Sequence, residues 1–269
     1  GCGGESVTAL PRPVPPGNAS PLILLTCLAA CALLPEWQRL ADEGDLDQQW
    51  LETERFRLLV LQNAADGDHL RIFIDGDGTP WLGANRVSID PTPNNPVLLR
   101  LMHDADFPAV YLGRPCYFGT STGRGCSQRL WTFDRYGAVV VASLCEAANR
   151  LSASADSVEL FGYSGGGALV IRMSACTDKL RRVTTIAGNL DPAAWADHHG
   201  YTPLNDTVLP AQLPTVAERH WQCAGDEVVP PSVTDDYFRV RPDAERLIVS
   251  ECTHSTGWEA HWQQIVGDP

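Results

Sequence analysis

Residues 158–175 read V-E-L-F-G-Y-S-G-G-G-A-L-V-I-R-M-S-A. An apolar run over 158–161 has the length and composition of a buried strand, and the apolar residues over 168–175 suit a helix. Between them stands Gly162-Tyr163-Ser164-Gly165-Gly166-Gly167. A strand that turns straight into a helix forces two backbones together, so the residues around the bend must lack Cβ atoms, and the serine at its apex is left with its hydroxyl exposed. The pattern G-x-S-x-G alone is weak in a chain with 23 glycines. Its placement between a strand and a helix makes it informative.

Working outward, period and punctuation alternate strands with helices. Strands are expected at 56–61, 70–74, 109–112, 158–161, 183–186, 220–223 and 247–250. Helices are expected near 97–103, 133–151, 168–175, 232–240 and 257–266. This order predicts an α/β fold, a mostly parallel sheet with helices on both faces. Residues 187–215, rich in Pro, Asn, Asp and His, read as a small cap or pocket loop inserted after the sixth core strand. No repeat interrupts the pattern, so residues 31–269 read as a single domain and 1–30 as an upstream segment. In such sheets the chemistry sits at the carboxyl ends of the strands.

Three residues fall at those ends. Ser164 is the candidate nucleophile, in the strand–turn–helix context of a nucleophile elbow. A serine hydroxyl needs a base to take its proton, and the base needs an acid to hold its tautomer. Asp226 follows one strand in A-G-D-E-V-V-P and His254 follows the next in C-T-H-S-T-G-W, giving the order Ser, acid, His. Rival acids are Glu227 and Asp191; rival bases are His198, His199, His220 and His261, read as pocket or structural residues. Oxyanion donors are expected from the Gly165 N–H and from the loop Asp75-Gly76-Asp77-Gly78, with Gly76, Asp77 and Gly78 as candidates. Trp81, Trp195, Tyr163 and Tyr201 are candidates to line an apolar pocket. The acidic pairs of that loop do not continue as a calcium-binding loop, and neither metal nor cofactor is expected.

The chain carries 33 acidic against 20 basic residues, a formal charge of −13. Such a surface repels polyanions, so nucleic acid is excluded as a partner. Arg114, Arg124 and Arg129 read as a local basic patch. The apolar run over 21–34 is too short to cross the roughly 30 Å hydrocarbon core. It suits the apolar region of an export signal. It contains Leu28-Ala29-Ala30-Cys31, similar to a bacterial lipobox, which makes Cys31 a lipidation candidate. An ordinary cleaved signal and a buried core segment are the alternatives. The expected location is the bacterial cell envelope or periplasm, lipid-anchored or otherwise secreted, with membrane association only through the anchor. Nine cysteines without metal or redox spacing point the same way. With Cys2, Cys27 and Cys31 set aside, six remain; Cys116 and Cys126 bracket a Gly-rich loop and are expected to pair.

The stretches F-I-D-G-D-G-T-P-W, D-P-T-P-N-N-P, Y-L-G-R-P-C, G-Y-S-G-G-G-A, A-G-N-L-D-P-A-A-W and T-H-S-T-G-W run from about residue 70 to 260. In them the chain resembles the α/β-hydrolase superfamily, and within it a group of exported bacterial hydrolases. The resemblance implies Ser164 as nucleophile, Asp226 as acid and His254 as base. It also implies neighbouring strands for Cys223 and Cys252 and one helical layer for Cys145 and Cys176, hence those two further disulfides. Where that group has Gln after the R-P-C element this chain has Tyr117, expected at the pocket rim. The implied activity is hydrolysis of a small-molecule or lipid-like carboxylic ester through an acyl-enzyme. Peptidase, amidase or thioesterase chemistry and a non-catalytic envelope binding module are the alternatives.

Overall fold

The computed structural model describes residues 34–205 and 212–267. The lipobox, Cys31 and the boundary at residue 30 lie outside the described residues. Eight strands form one sheet: β1 (Asp47–Glu52), β2 (Arg57–Gln62), β3 (His69–Ile74), β4 (Ala109–Leu112), β5 (Ser157–Tyr163), β6 (Leu180–Ile186), β7 (Ala217–Cys223) and β8 (Glu245–Val249). Their spatial order is β1-β2-β4-β3-β5-β6-β7-β8. Pairs β1–β2 and β2–β4 are antiparallel, and every other pair is parallel.

Consecutive residues are buried in the central strands, all of 109–112 and all of 158–163. Successive side chains point to opposite faces, so an unbroken buried run means that both faces are covered. Phe73 and Phe161 stack at 4.6 Å between ring centroids on neighbouring strands, and Trp262 closes on Phe73 at 5.9 Å. The helices are α1 (Glu36–Glu43), α2 (Val97–Met102), α3 (Ala138–Leu151), α4 (Gly165–Met173), α5 (Pro192–His199), α6 (Asp235–Val240) and α7 (Trp262–Val266). Among the described residues no helix is long and apolar enough to cross a membrane.

Several expectations change. Helix α1 and edge strand β1 are additions that the apolar pattern does not announce. The helix expected from residue 133 starts at Ala138, because 133–137 form turns whose Arg135 and Tyr136 point into the molecule. The insertion after β6 is not all loop: it holds α5, capped by Asp191, whose side chain accepts from Ala193 and Ala194 N–H, and ended by left-handed Gly200. Arg114, Arg124 and Arg129 form no surface patch. Arg114 is 3% exposed, Arg129 pairs with Asp134 at 2.6 Å, and Arg124 donates to the Glu54 carbonyl.

Disulfides join Cys116–Cys126, Cys145–Cys176 and Cys223–Cys252. Each removes loop-closure entropy from the unfolded chain, about 3 to 4 kcal/mol in the chain-entropy account. The last one clasps the ends of β7 and β8, where Asp226 and His254 follow.

Candidate active site

The bend after β5 puts Ser164 in a backbone conformation that side chains rarely adopt, φ 50° and ψ −118°. Such a residue carries strain of order 1–3 kcal/mol and persists only where its surroundings hold it. Here Ser164 N–H donates to the Ile186 carbonyl (3.1 Å), and its own carbonyl accepts from Gly167 (2.9 Å) and Asn189 (2.8 Å) N–H. The close approach behind the bend explains Gly166, where a Cβ would sit 2.1 Å from the Ile74 carbonyl oxygen.

Around the serine hydroxyl the structure assembles a relay. His254 Nε2 lies 2.9 Å from Ser164 Oγ, and His254 Nδ1 lies 2.8 Å from Asp226 Oδ2. A carboxylate only accepts, so Nδ1 carries the proton and Nε2 presents its lone pair to the serine hydroxyl. The acid is fixed in turn. Asp226 is 3% exposed, and its Oδ1 accepts from the N–H groups of Val228 (2.8 Å) and Val229 (2.9 Å). Trp258, fully buried, donates its Nε1–H to the His254 carbonyl at 2.9 Å and holds the loop carrying the histidine.

The rivals stand elsewhere. His220 is buried in β7 between Thr185 Oγ1 (2.8 Å) and Glu218 (3.2 Å), where desolvation holds its pKa down against the pull of that carboxylate. His261 lies in the short 3₁₀ turn before α7, and Glu227 is exposed. Asp191 caps α5. His199, with Trp195, donates from α5 to one acceptor, the Val228 carbonyl, at 2.9 and 2.8 Å. The cap helix is thereby tied to the loop that holds Asp226.

The loop after β3 runs across the serine. A Cβ on Gly76 would be 3.2 Å from Ser164 Cβ, and one on Gly165 would be 2.1 Å from Asp77 Oδ1. Of the candidate donors, Gly76 N–H already serves Asp75 Oδ1 at 3.1 Å. Gly78 makes the turn beside Pro91, φ 65°. The N–H groups of Gly165 and Asp77 have no hydrogen-bond partner among the described residues. An unpartnered backbone N–H is the kind of donor that can receive a developing oxyanion.

In front of Ser164 and His254 opens a cavity of about 920 Å³. Trp81, Tyr163, Trp195 and Tyr201 line it, with Phe133 and Leu204 completing its apolar wall. Tyr117 does not reach this cavity. It is 1% exposed and its hydroxyl donates to the Asp77 carbonyl at 2.9 Å, because the disulfide loop folds inward there. Arg114, Arg135 and Tyr136, which converge on the Asp77 carboxylate, escape a reading by motif. Their signal in the sequence is only that arginines and a tyrosine stand beside apolar runs.

Asp75 closes the floor of the site. It is 3% exposed, and burial pushes its carboxyl up to about 6 although Gly76 and Leu98 N–H groups bond it. A folded-state pKa above the unfolded one means that the fold binds this proton more tightly. The associated stability is full in acid and is lost as the pH rises through about 6. Relative to Asp75→Asn, the wild type is expected to lose about 2 kcal/mol of unfolding free energy between about pH 4.5 and 7.5. Urea unfolding of both proteins at the two pH values checks this; parallel curves would contradict it.

No protein-family model and no curated protein sequence matches the chain. Solved structures do. A membrane phospholipase A described as a bacterial virulence factor is 13% identical, with 91% of this chain and 96% of that one covered and a TM-score of 0.58. An α/β serine hydrolase without a lid from Xanthomonas campestris is 17% identical over 83% of this chain and 97% of that one, TM-score 0.52. An esterase from Pyrococcus furiosus is 9% identical over 83% and 90%, TM-score 0.58. What is shared at these identities is the fold.

Proposed function

We propose that this chain, whose fold is that of the α/β-hydrolases, is a serine hydrolase that cleaves carboxylic esters through an acyl-enzyme. The observation that carries this reading is the relay of 2.9 and 2.8 Å from Ser164 through His254 to Asp226, beside two unpartnered backbone N–H groups. Ser164 Oγ attacks the ester carbonyl carbon as its proton passes to His254 Nε2. Gly165 and Asp77 N–H receive the charge that develops on the carbonyl oxygen. Collapse of the tetrahedral species breaks the bond to the leaving oxygen, which takes the proton from His254. Water then repeats the sequence on the acyl-enzyme and releases the acid.

The cavity supports an uncharged, apolar acyl group. The carboxyl and guanidinium side chains on its wall are Asp75, Asp77 and Arg135, and each is engaged within the protein. Lipid-like esters fit this wall, and the esterase and phospholipase names of two structural neighbours accord with it. Three disulfides are compatible with an exported protein. A lipid anchor at Cys31 completes the proposal.

Matched p-nitrophenyl esters, p-nitroanilides and thioesters of increasing acyl length test this reading. Ester turnover is expected in the ordinary range of about 1 to 10³ s⁻¹ and to exceed that of the matched anilide and thioester. Faster anilide cleavage would make the protein an amidase or peptidase, and faster thioester cleavage a thioesterase. Inertness toward all three classes would favour a binding module on a hydrolase fold.

A further inference from the structure

A backbone donor stabilises an oxyanion only if it is already aimed when charge develops. Gly165 N–H is aimed by the start of α4, a regular element. Asp77 N–H belongs to a loop of alternating Asp and Gly, which by itself would sample many directions. Something outside the loop must hold it.

The peptide plane supplies the link. The Gly76 carbonyl and the Asp77 N–H belong to one planar trans unit and point in opposite directions, so whatever grips the carbonyl aims the N–H. Arg114 grips it. From the residues following β4 its Nη1 donates to the Gly76 carbonyl at 3.0 Å and to Asp77 Oδ1 at 2.7 Å, while Nη2 donates to the Arg135 carbonyl at 3.1 Å. The guanidinium is 3% exposed and cannot swing into water.

The rest of Asp77 is framed as tightly. Tyr136 Oη donates to Oδ2 at 2.7 Å, Arg135 Nε lies 2.9 Å from the same oxygen, and Tyr117 Oη donates to the Asp77 carbonyl at 2.9 Å. Burial pushes the Asp77 carboxyl up, but Arg135 and Arg114 outweigh it and hold the group below the usual carboxylate range. The carboxylate thus stays an acceptor. It also abuts Gly165, where a Cβ would lie 2.1 Å from Oδ1 and 2.5 Å from Tyr136 Oη. The two residues that offer the N–H groups are spaced by this one side chain.

We propose that Arg114 is a positioning residue for the oxyanion hole: it holds the Gly76–Asp77 peptide from behind and aims the Asp77 N–H, with Arg135, Tyr117 and Tyr136 as its frame. The proposal rests on the serine hydrolase reading above and adds to it a group that never touches substrate. A cation on the carbonyl also polarises the peptide and makes its N–H a better donor.

The test uses Arg114→Gln, Arg114→Lys, Tyr117→Phe and Tyr136→Phe in the full chain, with active sites titrated by a fluorophosphonate so that rates refer to folded, competent enzyme. Arg114→Gln is expected to lower kcat per titrated site by about 100-fold with KM changed less than about threefold. Inhibition by a trifluoromethyl ketone should weaken in parallel, and Arg114→Lys should recover part of the loss. Each Tyr→Phe change, removing one hydroxyl at constant shape, is expected to lower kcat by about three- to tenfold. A residue with only a structural role would reduce the titrated fraction and leave kcat per site alone. Wild-type kcat per site in Arg114→Gln overturns the proposal; should that variant not fold, unchanged kcat in both tyrosine variants overturns it. A wild type inert to esters and to the phosphonate would instead refute the hydrolase reading itself, with the proposal falling alongside.

Discussion

Replacing Ser164 with alanine is expected to lower kcat for ester hydrolysis by about 10⁵-fold or more, while the thermal midpoint stays within a few degrees of wild type. The asymmetry follows from where the hydroxyl points. Ser164 is partly exposed at the cavity floor and its Oγ contacts His254 Nε2 alone among the polar groups described, whereas its backbone bonds to Ile186, Gly167 and Asn189 hold the bend. Alanine keeps every backbone bond and inherits the same φ, so the strain is unchanged. Water takes the place of the hydroxyl at His254. Steady-state kinetics with the best ester and a calorimetric scan check both halves. A variant retaining a tenth of the activity would place the nucleophile elsewhere.

The next largest effect is expected at Asp226→Asn, about 10⁴-fold in kcat with KM little changed. In the wild type Oδ1 serves Val228 and Val229 N–H, and Oδ2 serves the Nδ1–H of His254. Asparagine has one oxygen. If that oxygen keeps the two backbone bonds, its amide nitrogen faces Nδ1 and can only donate. The imidazole must then carry its proton on Nε2, facing the serine hydroxyl as a donor instead of an acceptor. The side-chain position survives and the base does not. Ten-thousandfold corresponds to about 5.5 kcal/mol of barrier. Kinetics within tenfold of wild type would move the acid to Glu227 or Asp191.

How far the sequence reaches is clearest at particular residues. The parallel core was legible because its strands are short apolar runs punctuated by turns, and Ser164, Asp226 and His254 each follow one of them. Strand β1 and helix α1 were not: β1 sits at the sheet edge with residues such as Asp47, Gln48 and Gln49 exposed, and an edge strand lacks the apolar run that marks a central one. Helix α5 hides behind a polar composition, although Asp191-Pro192 and Gly200 are cap signals at its two ends. The apolar character of Phe133 and Tyr136 imitates a helix face. One lines the cavity and the other holds Asp77.

Arg114 is the instructive failure. Read alone it is a surface cation, because Arg is rarely buried unless paired. Its partner stands 37 residues earlier, at Asp77, in the loop that follows β3, the strand beside β4 in space. No local pattern encodes such a pairing. The same holds for the convergence of Trp195 and His199 on the Val228 carbonyl, which joins the cap to the acid loop across about thirty residues.

The central claim is an activated serine at position 164, and intact mass after brief exposure to a fluorophosphonate tests it most directly. One adduct is expected on the wild type, none on Ser164→Ala, and a greatly slowed adduct on His254→Ala. A well-folded wild type that gains no mass, or an adduct that persists in Ser164→Ala, would contradict it.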